Sequence, residues 1–294
     1  MPSPVFQEQP PPPRVLPLSS EMVHLLNQFQ QGMATWMDIF DHACTYQREV
    51  CRLSLTSELL LKCVCAFTAK QLCLRPSGEI WAPIATKYYS EWLTLLIEQL
   101  NDPESSHVAL TAVILLGSYE ILAAQGQAHR RHCEGAMKVM RMQGISACSL
   151  QLDRANFWIW IRHDISVAIM NETPLQMSPK EWHVTWRERE TQDDLLGNQL
   201  LWLVGRAVDW IYGSRTPHEN HNILRDAEEW YASLSAQSRG VKYGDLVEDG
   251  LSKIHFAVTA AGEFCTSFAA ADAFLCLQAS FLHDQPMMLL EAFL

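Results

Sequence analysis

Nowhere in the 294 residues do two cysteines stand three apart, and no GxGxxG, Walker A loop or GxSxG elbow occurs. The first absence removes the usual zinc and thiol-redox signatures. The others leave nothing to support nucleotide, flavin or serine-hydrolase chemistry. Charge is scarce at 19% of residues, and no Lys/Arg run of five appears. The balance is 22 basic against 33 acidic residues, a formal net charge of -11. Such a chain repels phosphate backbones, so direct nucleic acid binding by it is not expected. No basic-then-apolar leader opens the chain, which points to an intracellular location, nuclear or cytoplasmic. The most apolar windows, 108–124 and 256–282, are broken by Glu120 and by Glu263 and Asp272. They read as core helices and not as a membrane span. The nine cysteines are odd in number and scattered through apolar patterns, where a free thiol behaves as a small hydrophobe.

What the chain does have is bulk. Hydrophobic residues make up 48%, with ten Trp and eleven Met, enough for a substantial core with soft filling. Residues 1–18 form a Pro-rich stretch read as a disordered tail, and 19–294 as one helical domain. Helical periodicity dominates and strand alternation is absent. The spacing predicts helices near 19–31, 33–48, 51–73, 83–101, 105–124, 127–143, 153–171, 192–212, 222–235 and 245–282. Breaks fall at "RPSG" (75–78), "NDPESS" (101–106), Gly144, "TPLQMSPKEW" (173–182) and "GSRTPHENH" (213–221). The expected fold is all-α, a single irregular multi-helix domain.

The stretch "FWIWIRHDISVAIMN" (157–171) sets a cation, a titratable ring and an anion inside an apolar helix. Arg162 and Asp164 are two residues apart and point to nearly opposite sides, so they form no dyad, and neither do adjacent His163 and Asp164. One reading pairs each ion with a neighbouring helix, since an unpaired buried charge is costly. The other places Arg162 over Trp158 at a pocket wall, with Trp160 and Asp164 close by. In "HRRHCEGAMKVMRMQG" (129–144), His129, His132 and Cys133 suggest a metal site, but two adjacent arginines repel a cation, so no metal is expected. "HENH" (218–221) lies in a turn and lacks the HExxH order. Trp202, Arg206 and Trp210 recur every four residues, with Asp209 three after Arg206, as in a cation–π stack on a packed helix.

Three stretches, in order, resemble one family. "LLNQFQQGMATWMDIFD" (25–41) looks like its opening motif, and "HCEGAMKVMRMQG" (132–144) is similar to its His-x-x-Gly-Ala helix. "FWIWIRHDISVAIMNETPLQMSPKEW" (157–182) resembles its aromatic-rich Arg-x-Asp helix, Pro loop and following Trp. The family is the fungal-specific transcription factor domain, the regulatory region of zinc-cluster activators. The resemblance implies a helical fold, fungal origin and a ligand-responsive pocket. It also implies that Arg162 and Asp164 belong to the scaffold. The zinc-cluster DNA-binding module is missing from these residues. Two functions are therefore expected. One is a ligand-binding or regulatory role tied to a natural-product pathway, with an apolar small molecule or a protein as partner. The alternative is a repurposed cyclase or isomerase, without cofactor or metal, acting on an apolar polyketide or terpenoid intermediate. In that case Arg162 or His132 would polarise a carbonyl. The pocket candidates are Trp158, Trp160, Arg162, Asp164, His132, Trp202 and Arg206.

Overall fold

The computed structural model describes residues 14–100, 106–123, 128–185, 193–213, 219–236, 238–244 and 253–256. Its architecture is all-α. Helix α1 (Ser20–Gln31) starts where the Ser19 hydroxyl accepts the Met22 N–H at 3.2 Å, and a short α2 (Met33–Met37) follows at once. The expected single helix over 33–48 does not form. The carboxylates of Asp38 and Asp41 accept the N–H groups of Tyr46, Gln47, Ala43 and Thr45 instead. Side chains that bind nearby backbone offer it an alternative to the helical ladder. The chain therefore turns through 38–45, passes Cys44 at φ 52°, and re-enters as a π-helix over Tyr46–Val50 and a short α3 (Cys51–Leu53). The expected helix over 51–73 is likewise split, because Ser57 caps a fresh start by accepting the Leu60 N–H.

From there the helices are long. They are α4 (Glu58–Cys73), α5 (Ala82–Leu100), α6 (Ser106–Ala123), α7 (Ala128–Gln143), α8 (Gln151–Asn171), α9 (Asp193–Tyr212) and α10 (Glu219–Ser233). Their neighbours in space follow chain order closely. α1, α5 and α6 lie on α4, α7 and α8 lie on α6, and α9 packs between α8 and α10. Residues 109–120 of α6 are buried without a break, as befits a helix apolar all round. At the end of α7, Gly144 takes φ 66° and the Ile145 N–H bonds the Met140 carbonyl, a glycine-terminated helix end.

Polar bonds lock the layers together. Tyr88 of α5 donates its hydroxyl to Glu21 of α1 at 2.7 Å, and Lys62 of α4 pairs with Glu91 of α5 at 2.7 Å. Tyr46 donates to Asn156 of α8, which donates in turn to Thr111 of α6, at 2.7 and 3.0 Å.

A two-stranded antiparallel ladder joins Val241–Tyr243 to Lys253–His255, with Lys242 opposite Ile254. No strand was expected there, and 253–255 overturns the start of the helix read over 245–282. Lys253, Ile254 and His255 place their one branched apolar residue between two polar ones, which is strand alternation too short to outweigh the apolar run after it. Of that range, 245–252 and 257–282 lie outside the described residues, as does 1–13 of the Pro-rich tail.

Close approach, more than propensity, decides two glycines of α9. A Cβ on Gly205 would stand 2.3 Å from the ring of Trp182, and one on Gly197 would stand 2.3 Å from the ring of Phe40. Both aromatics reach α9 only because those side chains are absent. Gly205→Ala is expected to destabilise the fold by about 1–3 kcal/mol through overpacking, read from urea midpoints. An unchanged midpoint would mean that Trp182 does not hold this position.

Candidate functional site

Helix α8 carries Arg162, His163 and Asp164 on three different sides, and each engages a different neighbour. Arg162 reaches α2, donating to the carbonyls of Trp36 at 3.2 Å and Met37 at 2.7 Å, with its guanidinium 5.2 Å from the centre of the Trp36 ring. A cation over the last carbonyls of a helix meets the negative end of its dipole. Arg162 therefore stacks on Trp36 and not, as expected, on Trp158. His163 is 3% exposed and faces α6, with its Nε2 3.1 Å from the Ser118 hydroxyl. Its ring lies beside Gly117, where even an added Cβ would stand 3.5 Å away, in ordinary contact.

Asp164 is 1% exposed and turns toward the loop after α8, accepting the N–H groups of Gln176 and Met177 at 3.0–3.2 Å. Burial outweighs these two backbone donors and raises its pKa to about 6. Asp38 is similar. Burial lifts it to about 6, although it accepts the Tyr46 and Gln47 N–H groups at 2.8 Å.

The aromatics of α8 divide between faces. Trp160 is buried and donates its Nε1 to the Cys133 carbonyl of α7 at 3.1 Å. Trp158 lies edge-on to Trp182, with ring centres 6.2 Å apart. On the far side of α9, Arg206 stacks over Trp202 at 4.7 Å and bonds Asp226 and Glu219 of α10 at 2.7 and 3.0 Å. Of the stack expected from the sequence, the Arg206–Trp202 contact is present, and Arg206 joins α9 to α10. Asp209, expected beside it, accepts the Ser178 hydroxyl instead. Backbone places His132 in α7; its side chain, with those of His129–Arg131, is outside the described residues.

One cleft of about 110 Å³ opens where the 38–45 turn, α8 and α9 meet. Phe40, Asp41, Arg154, Trp158, Arg162 and Asn198 line it. Of the sequence candidates the structure brings Trp158 and Arg162 together here, whereas Trp160, Asp164, Trp202 and Arg206 lie elsewhere. Phe40, Asp41, Arg154 and Asn198 were not foreseen. For Arg154 a signal existed: Arg154, Trp158 and Arg162 are spaced by four and form one stripe of α8. Among the described residues no three His, Cys, Asp or Glu side chains gather as metal ligands, and no helix is long and apolar enough to cross a membrane.

An all-α domain threaded by one buried helix, with its ions directed to scaffold bonds and a small cleft beside them, is the class that this geometry defines. The model of the fungal specific transcription factor domain matches residues 24–201, more than half of the chain. The chain belongs to that family, and all three motif stretches fall inside the match. No curated protein and no solved structure matches it.

The two buried carboxyls set a pH dependence. Each binds its proton more tightly folded, near 6, than unfolded, near 3.8. Their protonated forms therefore contribute stability that is complete below about 4 and lost as the pH rises through about 6, on the order of 3 kcal/mol each. The thermal midpoint is expected to be higher at pH 5 than at pH 7.5, with a smaller difference in Asp164→Asn. An equal slope in that variant would count against Asp164 as a source. Asp164→Ala should cost about 2–4 kcal/mol, because one buried and one part-buried N–H group lose their acceptor.

Proposed function

We propose that the chain works as a ligand-responsive regulatory domain of this family, taking a small molecule into the cleft between the 38–45 turn, α8 and α9. The observation that carries the reading is that a polar side chain in the cleft wall, Asn198, is 2% exposed yet has no hydrogen-bond partner for its Oδ1. Unpartnered acceptors in a buried wall are uncommon, and a bound group that donates to them is the usual remedy.

The size of the cleft also bears on the choice between binding and catalysis. At about 110 Å³ it is well below the roughly 300–1,000 Å³ of sites that enclose a drug-sized ligand. A folded polyketide or terpenoid intermediate needs more room than this, which favours the regulatory reading over the cofactor-free cyclase. A protein partner is compatible with the same reading, as the recipient of the signal.

The test is to mix the purified chain with metabolite extract from a fungal strain lacking it, then to follow bound and free fractions by mass spectrometry. The expected result is a compound retained on the protein and released unchanged. Appearance of an equal-mass product in place of a consumed peak would establish the cyclase or isomerase instead. The link to a natural-product pathway is read separately, as loss of biosynthetic transcripts in the same strain.

A further inference from the structure

We infer that the cleft takes a single-ring aromatic acid that also carries an O–H or N–H donor; this rests on the ligand-binding reading above. The class follows from the bonds that the cleft's polar groups already make. Asp41 accepts two backbone N–H groups of its own turn, from Ala43 and Thr45, both at 3.1 Å. Arg162 holds two carbonyls of α2 and lies over the Trp36 ring. Neither is available as a ligand's main contact.

Two groups are left. Arg154 stands exposed at the rim, and no carboxylate pairs with it among the described residues. Asn198 donates its Nδ2 to the Phe40 carbonyl at 3.3 Å, which fixes the amide and leaves Oδ1 as an acceptor. The uncommitted chemistry of the cleft is thus one cation at the mouth and one acceptor in the wall. An anion matches the first and a hydrogen-bond donor the second.

Between them the lining is apolar and flat, with Met37, Phe40 and Trp158. The volume approaches that of a dry cavity known to hold benzene, about 150 Å³. A volume of this size suits one ring better than two fused rings. Asn198 Oδ1 is shielded from water, so the donor's approach requires the cleft wall to shift, and the half-buried Phe40 ring of that wall packs beside Gly197, the chain neighbour of Asn198. The bare glycine there leaves that ring no side chain to climb over.

Three probes test this on the full chain: 4-hydroxybenzoate, 4-hydroxybenzamide, which lacks the charge, and benzoate, which lacks the donor. Affinity is measured by calorimetry at pH 7, and the site is reported by the methyl resonance of Met37 in a methionine-labelled sample, assigned with Met37→Leu. The expected result is that 4-hydroxybenzoate shifts the Met37 methyl and binds about fivefold tighter than either of the others. Arg154→Gln should then remove its advantage over the amide, and Asn198→Leu its advantage over benzoate. The probe comparison on the unaltered chain decides the donor question even where the Asn198 variant fails to fold. If all three bind equally while shifting Met37, the ligand class is overturned and the ligand-binding reading stands. An advantage over the amide that survives Arg154→Gln overturns the role given to Arg154. If none shifts Met37, both the class and the assignment of the cleft fall.

Discussion

Helix α8 is buried along most of its length, yet it carries Asn156, Arg162, His163 and Asp164. Leaving such groups unpaired would cost roughly 1–3 kcal/mol each, and more for the ions. The fold meets this constraint by giving every one of them a partner: Tyr46 and Thr111 of α6 for Asn156, Ser118 of α6 for His163, the end of α2 for Arg162 and the following loop for Asp164. Asn156 and His163, two turns apart, share the face toward α6, while Arg162 and Asp164 leave in other directions, so one helix fixes the positions of four other segments. An apolar helix of the same length would be buried as well but would tolerate sliding and rotation. The polar bonds specify one register.

The turn over 38–45 shows what this specification does locally. Arg162 holds the carbonyls that enter it, and Asp38 holds the amides that leave it. Asp38 thereby fixes the start of the π-helix at Tyr46, and the Tyr46 hydroxyl returns to α8 through Asn156. The turn is closed in a loop of bonds that begins and ends on α8. Phe40, Asp41, Ala43 and Thr45 of the turn form one wall of the cleft. The wall is therefore held at both ends and free of bonded restraint at the Phe40 ring, which rests on Gly197 alone of the two glycines that admit aromatics to α9.

The long helices were legible because their apolar periodicity and their punctuation agree: Ser19, the breaks at 75–78 and 101–106, and Gly144 mark ends that the structure places within a few residues. The two split helices share a cause. At 33–48 and 51–73 the apolar spacing continues through the break, and what stops the helix is a side chain binding backbone, from Asp38 and Ser57. Hydrophobic spacing does not register such bonds. At the site, the sequence carries the helical positions of Arg162 and Trp158 but not which neighbour faces them. Arg162 found Trp36, 126 residues away in the chain, because α2 ends beneath it. Asn198 carried no signal, since its interest lies in an atom left without a partner, which is a property of packing.

The same reasoning separates scaffold from site without appeal to fold, which by itself assigns no chemistry. Polar residues in a buried helix attract attention as catalytic candidates, and Arg162, His163 and Asp164 do so here. Each, however, is engaged by the protein's own groups in a way that explains its presence. A binding site needs the opposite condition: groups whose valence the protein leaves open, in a place that a ligand can enter. In the proposed site, Arg154 at the mouth meets that condition as it stands, and Asn198 Oδ1, buried in the wall, meets it once the wall opens. The motif that draws the eye thus builds the wall, and the residues that would read a ligand are two that the motif does not contain.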